Sequence, residues 1–335
     1  MKILIVDDSV ILRNILKEIF SNEKDMEVAG EASNGQDAVK LNRDKKPDLI
    51  VMDMDMPIMD GLEATRQIMK ERPVPILILS GQDMGGKVLE ALEAGATSFI
   101  KKSHISVFDE PAFYEDFVQK IRSLASVNLF PSQLETPCLT CGKRLENRFK
   151  VLVIGTSTGG PQTIATIFKR LPQDFPLPIC LVQHLEEGFA ENYAQWLDGQ
   201  SPLKISIANN LENLLPGQVY IAPGNRHLRL HNAQILLDDG PKVLNQRPSV
   251  DVLFQSAAKE FGPQTLALLL TGMGADGAEG CLSIKQAGGT TLVQDQSTSI
   301  IFGMPRVAIE KGGASEVLSL PKIIERLIEL TGTVS

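Results

Sequence analysis

The sequence has few cysteines, little positive charge and no long apolar run, and each shortage argues against a class of protein. Only four of the 335 residues are cysteine, and they are not spaced like a disulfide framework, so we expect a reducing cytoplasm. No uncharged apolar run reaches the roughly 18 residues that cross a bilayer, so we expect no membrane insertion. The formal net charge of -8 and the lack of a basic recognition helix argue against nucleic acid as a partner.

What the sequence does contain is a repeated alternation of short apolar runs with helical stretches. Its length and its 43% hydrophobic content suffice for two cores of ordinary size. Five apolar runs in each half predict two α/β domains, each with a doubly wound parallel sheet. The pieces HLRLHN and QILLDD predict a β-hairpin inserted into the second domain. We expect a first domain at 1–125, a polar linker at 126–148 and a second domain at 149–335.

Chemically active side chains follow the predicted strands of the first domain. The carboxyl ends of parallel strands share one edge of a sheet, so these side chains should lie close together. Clustered carboxylates repel one another, and a divalent cation such as Mg²⁺ would relieve that repulsion. Lysine and serine groups suit phosphoryl oxygens, and a carboxylate can itself accept a phosphoryl group. The alternative is that these residues are solvated strand caps. The set consists of Asp7, Asp8, Asp53, Ser80, Lys101 and Lys102.

The motifs VDDS, DLIVMDMDMPIMDG, LSG and GATSFIKK, spread over nearly all of residues 1–124, resemble the receiver domain of bacterial response regulators. The resemblance implies a flavodoxin-like fold, a histidine kinase as phosphodonor and Mg²⁺ as a cofactor. It implies phosphorylation at Asp53, with Asp7, Asp8 and Asp53 binding the metal alongside the carbonyl of Asp55. Ser80, Phe99 and Lys102 then match the switch positions. Ser103 departs from the proline that usually follows this lysine, so the resemblance does not fix the local loop geometry.

The stretch GTSTGG, residues 155–160, begins the second domain like a phosphate-binding loop but lacks what such a loop needs. It has no Walker lysine, and Ser157 occupies the slot of the second glycine in the dinucleotide fingerprint. The next strand ends at Gln183 and His184 rather than at a ribose-binding acid. The pattern also fits G-x-S-x-G, in which a strand-to-helix turn presents a serine. A nucleotide loop and a nucleophile therefore both remain open at this point.

An imidazole at the neighbouring strand end would be able to activate a serine, and a carboxylate would orient that imidazole. Ser157, His184 and Asp276 supply these three groups at strand ends, although Asp251 and Asp295 compete with Asp276 for the role of the acid. The order of the three differs from that of the α/β-hydrolases. Backbone amides in the two glycine-rich loops, at Thr158 and Met273, are candidates for an oxyanion hole. The remaining histidines of this domain, His227 and His231, flank the hairpin strand and are expected on its surface.

Six motifs, GTSTGGP, LVQH, APGNRHLRL, RPSVDVLF, LTGMGADGAEG and AGGTTLVQD, resemble the catalytic domain of chemotaxis protein-glutamate methylesterases over roughly 150–332. The resemblance implies a Rossmann-like esterase domain with Ser157 as nucleophile, His184 as base and Asp276 as acid. It also implies oxyanion amides at Thr158 and Met273 and no cofactor for ester hydrolysis. The implied substrate is the methylated cytoplasmic domain of chemoreceptors, with deamidation of receptor glutamines as a further activity. The unphosphorylated receiver is implied to obstruct the esterase site.

Two other functions fit parts of the pattern. A non-catalytic nucleotide-binding domain would bind NAD or ATP and show no reactive serine, and a receptor-docking scaffold would signal without Ser157. Cys138 and Cys141 form a C-x-x-C pair in the predicted linker. Zinc would need two more ligands, and no thioredoxin-like unit surrounds the pair, so we interpret it as incidental.

Overall fold

The computed structural model of the chain describes residues 1–81, 85–105, 111–127, 148–185 and 188–332. The chain divides into two compact units, Met1–Phe130 and Pro131–Ser335. Most of the predicted linker, including Cys138 and Cys141, lies outside the described residues, so the linker and its boundaries stay a prediction. Among the residues described, no helix combines the length and the apolar character needed to cross a membrane.

The first unit contains a parallel sheet of five strands in the order β2-β1-β3-β4-β5. The strand order starts in the middle and moves outward in both directions, as in doubly wound folds. Its elements are β1 (Lys2–Val6), α1 (Val10–Asn22), β2 (Glu27–Ala32), α2 (Gly35–Lys45), β3 (Leu49–Asp53), α3 (Gly61–Glu71), β4 (Ile76–Ser80), α4 (Gly85–Glu93), β5 (Ser98–Lys101), α5 (Lys102–Ile105) and α6 (Pro111–Ala125).

Local sequence explains why these elements form where they do. The strands β3 and β4 are buried at every position, which is typical of a parallel sheet covered by helices on both faces. Three helices begin just after a residue whose side chain accepts a hydrogen bond from a first-turn amide: Ser9, Asn34 and Asp60. Each of these helices follows a strand of the sheet, so its first turn lies at the same edge as the acidic strand ends.

The second unit contains a parallel sheet of seven strands in the order β14-β13-β12-β6-β7-β9-β8 and a separate antiparallel pair, β10-β11. Its elements are β6 (Val151–Thr156), α7 (Gly160–Phe168), β7 (Ile179–Gln183), α8 (Ala190–Asp198), β8 (Lys204–Ile207), β9 (Gln218–Ile221), β10 (His227–His231), β11 (Gln234–Asp238), α9 (Val250–Phe261), a 3-10 turn (Gly262–Gln264), β12 (Thr265–Leu269), α10 (Ala278–Gln286), β13 (Thr290–Gln294), α11 (Met304–Glu310), β14 (Glu316–Leu318) and α12 (Leu320–Thr331).

The predicted fold class, two parallel α/β sheets with an inserted hairpin, is confirmed, with three local corrections. The sequence analysis missed β8 and β14, which are the two edge strands of the large sheet. Both are short and partly exposed, so neither carries the fully apolar run that marked the inner strands. The expected surface position of His227 is also wrong. His231 is exposed at the hairpin end, whereas His227 is fully buried because its ring turns toward Pro241 and Ser249.

Candidate functional sites

The first site lies at the carboxyl edge of the five-stranded sheet, where one lysine contacts two buried carboxylates. Lys102 Nζ lies 2.7 Å from Asp53 Oδ2 and 3.0 Å from Asp7 Oδ2. Asp7 directly follows β1 and Asp53 ends β3, and these two strands are neighbours in the sheet. Asp7 is further held by the backbone amide of Ser9 at 2.8 Å. Of the two adjacent lysines, Lys102 is thus the one placed against both acids.

The carboxylates of this pocket carry more negative charge than the lysine offsets. Burial, together with the neighbouring charge of Asp7, raises the pKa of Asp53 to about 6, against the lowering effect of Lys102. Burial disfavours the ammonium of Lys102, yet the two carboxylates outweigh that effect and raise its pKa. One oxygen from each of Asp7, Asp8 and Asp53 lies within 4.8 Å of the others. These hard oxygen donors and their uncompensated charge fit a divalent cation such as Mg²⁺.

The other predicted receiver positions lie on, or directly after, neighbouring strands of the same sheet. Ser80 ends β4, the strand beside β3, and its side chain is buried. Phe99 lies in β5 with only 9% of its surface exposed. The backbone amide of Asp55 donates to Asp53 Oδ1 at 3.3 Å, while the Asp55 side chain forms an exposed ion pair with Lys87. The structure therefore places Ser80 at the carboxyl end of the strand next to Asp53, and Phe99 within β5, opposite Ile78 of β4.

The second site begins at the turn between β6 and α7, where Ser157 directly follows the strand. Close packing requires glycine beside it. A Cβ atom on Gly155 would lie 2.1 Å from Val250 Cγ1, and one on Gly272 would lie 2.8 Å from Ser157 Cβ. Helix α7 begins after Gly159, whose φ of 80° is in the left-handed region. The turn therefore leaves the serine half-buried between two glycine-rich segments.

His184 is the neighbour of Ser157 across the sheet. In the parallel pair β6-β7, Thr156 lies opposite Gln183, so the next residues on each strand are Ser157 and His184. The His184 amide donates to the Thr156 carbonyl at 3.1 Å. The side-chain amide of Gln183 donates to the carbonyls of both Ser157 (2.8 Å) and His184 (3.0 Å). One side chain thus connects the backbones of the two loops.

Asp276 completes the group from the loop between β12 and α10. Its Oδ2 lies 2.8 Å from His184 Nε2, and both side chains are at least nine-tenths buried. Burial alone would raise the pKa of Asp276, but the hydrogen bond and charge of His184 and the amides of Asp251 and Val250 lower it below its usual value. An ionised Asp276 fixes the His184 ring and favours a proton on Nε2, which leaves Nδ1 as the basic nitrogen.

The two rival acids have other partners. Asp251 Oδ1 accepts the amide of Gly280 at 2.7 Å, in the first turn of α10. Asp295 accepts the hydroxyls of Ser297 and Thr298 in its own loop. Asp276 is therefore the carboxylate that the structure places on His184.

The loops that carry Thr158 and Met273 are joined through Thr271. Its hydroxyl donates to the Thr158 carbonyl at 2.9 Å, and its carbonyl accepts the Ser157 amide at 3.1 Å. Gly272, the residue before Met273, packs against Ser157. The structure thus brings both candidate oxyanion segments beside the serine.

Sequence reasoning missed two polar residues behind Asp276. Ser249 Oγ donates to Asp276 Oδ1 at 2.8 Å, and the Ser249 amide donates to His227 Nδ1 at 3.2 Å. The serine before VDVLF indicates a helix N-cap, but nothing in that pattern identifies the carboxylate that its hydroxyl contacts.

The two units define a class of protein: one sheet carries a receiver-type acidic pocket, and the other carries a histidine-aspartate pair at the strand end next to a serine, the residue types that serine hydrolases use. The family model of the CheB methylesterase matches residues 152–327, and that of the response regulator receiver domain matches 3–106. The chain belongs to the CheB methylesterase family, and its N-terminal unit is a response regulator receiver domain. The methylesterase class predicted from the motifs is confirmed.

Relatives match along the whole chain. A Thermotoga maritima protein named protein-glutamate methylesterase/protein-glutamine glutaminase is 40% identical, over 98% of this chain and 98% of its own length. The protein of that name from Escherichia coli is 37% identical, over 98% of this chain and 96% of its own. The crystal structure of the Thermotoga maritima CheB methylesterase catalytic domain is similar with a TM-score of 0.53 and 45% identity, covering 54% of this chain and 98% of that one.

Proposed function

We propose that this protein is a phosphorylation-activated serine esterase that hydrolyses glutamate methyl esters on the cytoplasmic domains of chemoreceptors. The observation that carries the proposal is the 2.8 Å contact between His184 and Asp276, at the strand end next to Ser157. The names of the relatives support glutamate methyl ester as the substrate. The enzyme then acts in the cytoplasm, during adaptation of the chemotactic response.

The three side chains divide the chemistry between them. His184 Nδ1 takes the proton of Ser157 Oγ, which attacks the ester carbonyl, while Asp276 stabilises the imidazolium. The proton then passes to the methoxy oxygen, methanol leaves, and a γ-glutamyl ester remains on Ser157. A water molecule, deprotonated by His184, attacks this acyl-enzyme and releases the glutamate side chain and the free serine. The amides of Thr158 and Met273 stabilise the oxyanion in both halves.

The same steps apply to a glutamine side chain, where ammonia leaves in place of methanol. The relatives' names include protein-glutamine glutaminase, and this supports deamidation as a second activity of the same site.

The receiver unit supplies the regulation. Asp53 accepts a phosphoryl group from a chemotaxis histidine kinase. Lys102 contacts the carboxylate of Asp53, so its ammonium lies beside the negative charge that phosphorylation adds. Asp7, Asp8, Asp53 and the Asp55 carbonyl would hold Mg²⁺, which when bound neutralises charge on the phosphoryl oxygens. Ser80 and Phe99 respond to the phosphoryl group, and the esterase rate rises.

Methanol release from methylated receptor membranes tests both halves of this proposal. The wild-type chain releases methanol, and a small phosphodonor with Mg²⁺ increases the rate. Ser157→Ala lowers the rate by at least about a thousandfold, since the nucleophile is lost. Asp53→Asn keeps the basal rate measurable but removes the response to the phosphodonor.

The matched controls separate the alternatives. A fluorophosphonate labels the wild type and not Ser157→Ala, whereas a nucleotide-binding domain would bind NAD or ATP and show no labelling. Normal methanol release by Ser157→Ala would contradict the serine mechanism. A full phosphodonor response in Asp53→Asn would contradict the gating.

A further inference from the structure

The carboxylate of Asp276 has more partners than His184 alone. Its Oδ1 accepts the hydroxyl of Ser249 at 2.8 Å and the amide of Asp251 at 2.9 Å. Its Oδ2 accepts the amide of Val250 at 2.7 Å in addition to His184 Nε2. Both amides belong to the first turn of α9, where unpaired N–H groups and the helix dipole favour an anion. Both oxygens of the carboxylate are therefore fixed, and Oδ2 faces His184.

Ser249 is the N-cap of α9, but its hydroxyl makes a shorter hydrogen bond to Asp276 than to the helix backbone. The capping contact from the Val252 amide to Ser249 Oγ is long, at 3.5 Å, whereas the contact to Asp276 is 2.8 Å. The equivalent capping contact is 3.4 Å in α1, whose N-cap is also a serine, and 2.9 Å and 2.8 Å in α2 and α3, whose N-caps are Asn34 and Asp60. A hydrogen bond at 3.5 Å is at the limit of an effective interaction, and one to a charged oxygen at 2.8 Å is strong.

Ser249 is itself held from behind by a buried histidine. The Ser249 amide donates to His227 Nδ1 at 3.2 Å, so the proton of this ring is on Nε2, which donates to the Pro241 carbonyl at 3.0 Å. Both residues have no exposed surface. Ser249 therefore cannot touch a substrate, and its backbone and its hydroxyl are both fixed.

We propose that Ser249 is a positioning residue of the esterase, which holds Asp276 so that Oδ2 points at His184. This inference rests on the proposed function, because it gives Asp276 the role of orienting the base. Without the hydroxyl, Oδ1 keeps only one backbone donor, and the carboxylate can rotate away from the imidazole. A triad whose histidine is poorly oriented loses turnover rather than substrate binding.

Steady-state kinetics of the full chain on methylated receptor membranes test the proposal. Ser249→Ala is expected to lower kcat about tenfold with KM unchanged, the loss expected for one hydrogen bond to a charged group. Ser249→Thr keeps the hydroxyl and is expected to recover most of kcat. Ser256→Ala is the matched control, because this serine of the same helix has its own hydrogen bonds, to Leu230 and Leu253, and does not contact Asp276.

The pH profile separates positioning from a merely structural role. The titratable groups around Asp276 are His184 and Asp251, with His227 behind Ser249. When the carboxylate turns away from the imidazole, it stabilises the protonated form of His184 less. The acidic limb of kcat/KM in Ser249→Ala is therefore expected to move to lower pH, while that of Ser256→Ala stays in place.

Three results would overturn the inference: wild-type kcat and pH profile in Ser249→Ala, an equal fall of kcat in Ser256→Ala, or a folded Ser249→Thr no more active than Ser249→Ala. Ser157→Ala identifies failure of the underlying function. If that variant still releases methanol, the proposed mechanism is wrong, whereas an inactive Ser157→Ala with a fully active Ser249→Ala rejects only the role of Ser249.

Discussion

Asp53 in the receiver unit and Asp276 in the esterase unit are both at the carboxyl edge of a parallel sheet, and each has only 2% of its surface exposed. Their pKa values nevertheless shift in opposite directions, upward to about 6 for Asp53 and downward for Asp276. Asp53 receives one backbone amide, at 3.3 Å, and the ammonium of Lys102. Asp276 receives two amides, one hydroxyl and one imidazole.

A third buried carboxylate shows that the neighbouring groups, rather than the unit, decide the direction. Asp251 lies in the same unit as Asp276 and is 4% exposed, yet burial and the charge of Asp276 raise its pKa to about 6, against the lowering effect of the Gly280 and Gly277 amides. A carboxylate that accepts many hydrogen bonds is a fixed anion, suited to orient a base. One that accepts few has lone pairs left for a metal or for a phosphoryl group.

The largest expected effect comes from removing the charge of Asp276. Asp276→Asn keeps the shape of the side chain but no longer stabilises an imidazolium, and it favours the wrong tautomer of His184. We expect kcat to fall on the order of 10³-fold to 10⁴-fold. Methanol release measures the loss, with Asp295→Asn as a control for the nearby rival acid. Similar losses in both variants would contradict the assignment of Asp276.

Asp251 provides the next test, through the pH dependence of stability. Its pKa is about 6 in the folded chain, against an ordinary value of 3.8, so the folded chain keeps this proton where the unfolded chain has released it. Its contribution to stability is therefore present below pH 4 and is lost as the pH rises to 6. Asp251→Asn lacks this loss and should gain about 3 kcal/mol relative to wild type between pH 4 and pH 6.5.

Urea unfolding of the esterase unit at several pH values measures this difference. Asp295→Asn serves again as the control. Parallel stability curves for the wild type and Asp251→Asn would show that Asp251 is ionised normally, and that burial beside Asp276 does not raise its pKa.

The smallest expected effect concerns the one strong partner of Asp53. Lys102→Gln removes the ammonium, so the pKa of Asp53 should rise by about one further unit in metal-free buffer. A carboxyl-carbon NMR titration of the full chain measures the value. Lys101→Gln is the matched control, since Lys102 is the residue placed 2.7 Å from Asp53. An unchanged titration in Lys102→Gln would show that the ammonium does not lower this pKa.

Much of the fold and of both sites could be predicted from the sequence because the reactive side chains directly follow the apolar runs that form the strands. Apolar runs identified the inner strands, and parallel pairing of those strands then placed Asp7 near Asp53 and His184 next to Ser157. The edge strands β8 and β14 lack such runs, and they were missed. The sequence left Asp276, Asp251 and Asp295 as candidates for the acid. The structure was needed to show which of their segments reaches His184. The roles of Ser249 and His227 could not be predicted for the same reason, since their contacts join residues 22 and 27 positions apart in the chain.

The position of β6 in its sheet has a consequence for local opening. It is the fourth of seven strands, with β12 on one side and β7 on the other. Amide protons at the centre of such a sheet exchange with solvent only in the rarest openings, while edge strands fray often. The strand that leads into Ser157 is therefore expected to stay closed when β8 or β14 opens, so that frequent opening at the edges of the sheet leaves the position of this serine unchanged.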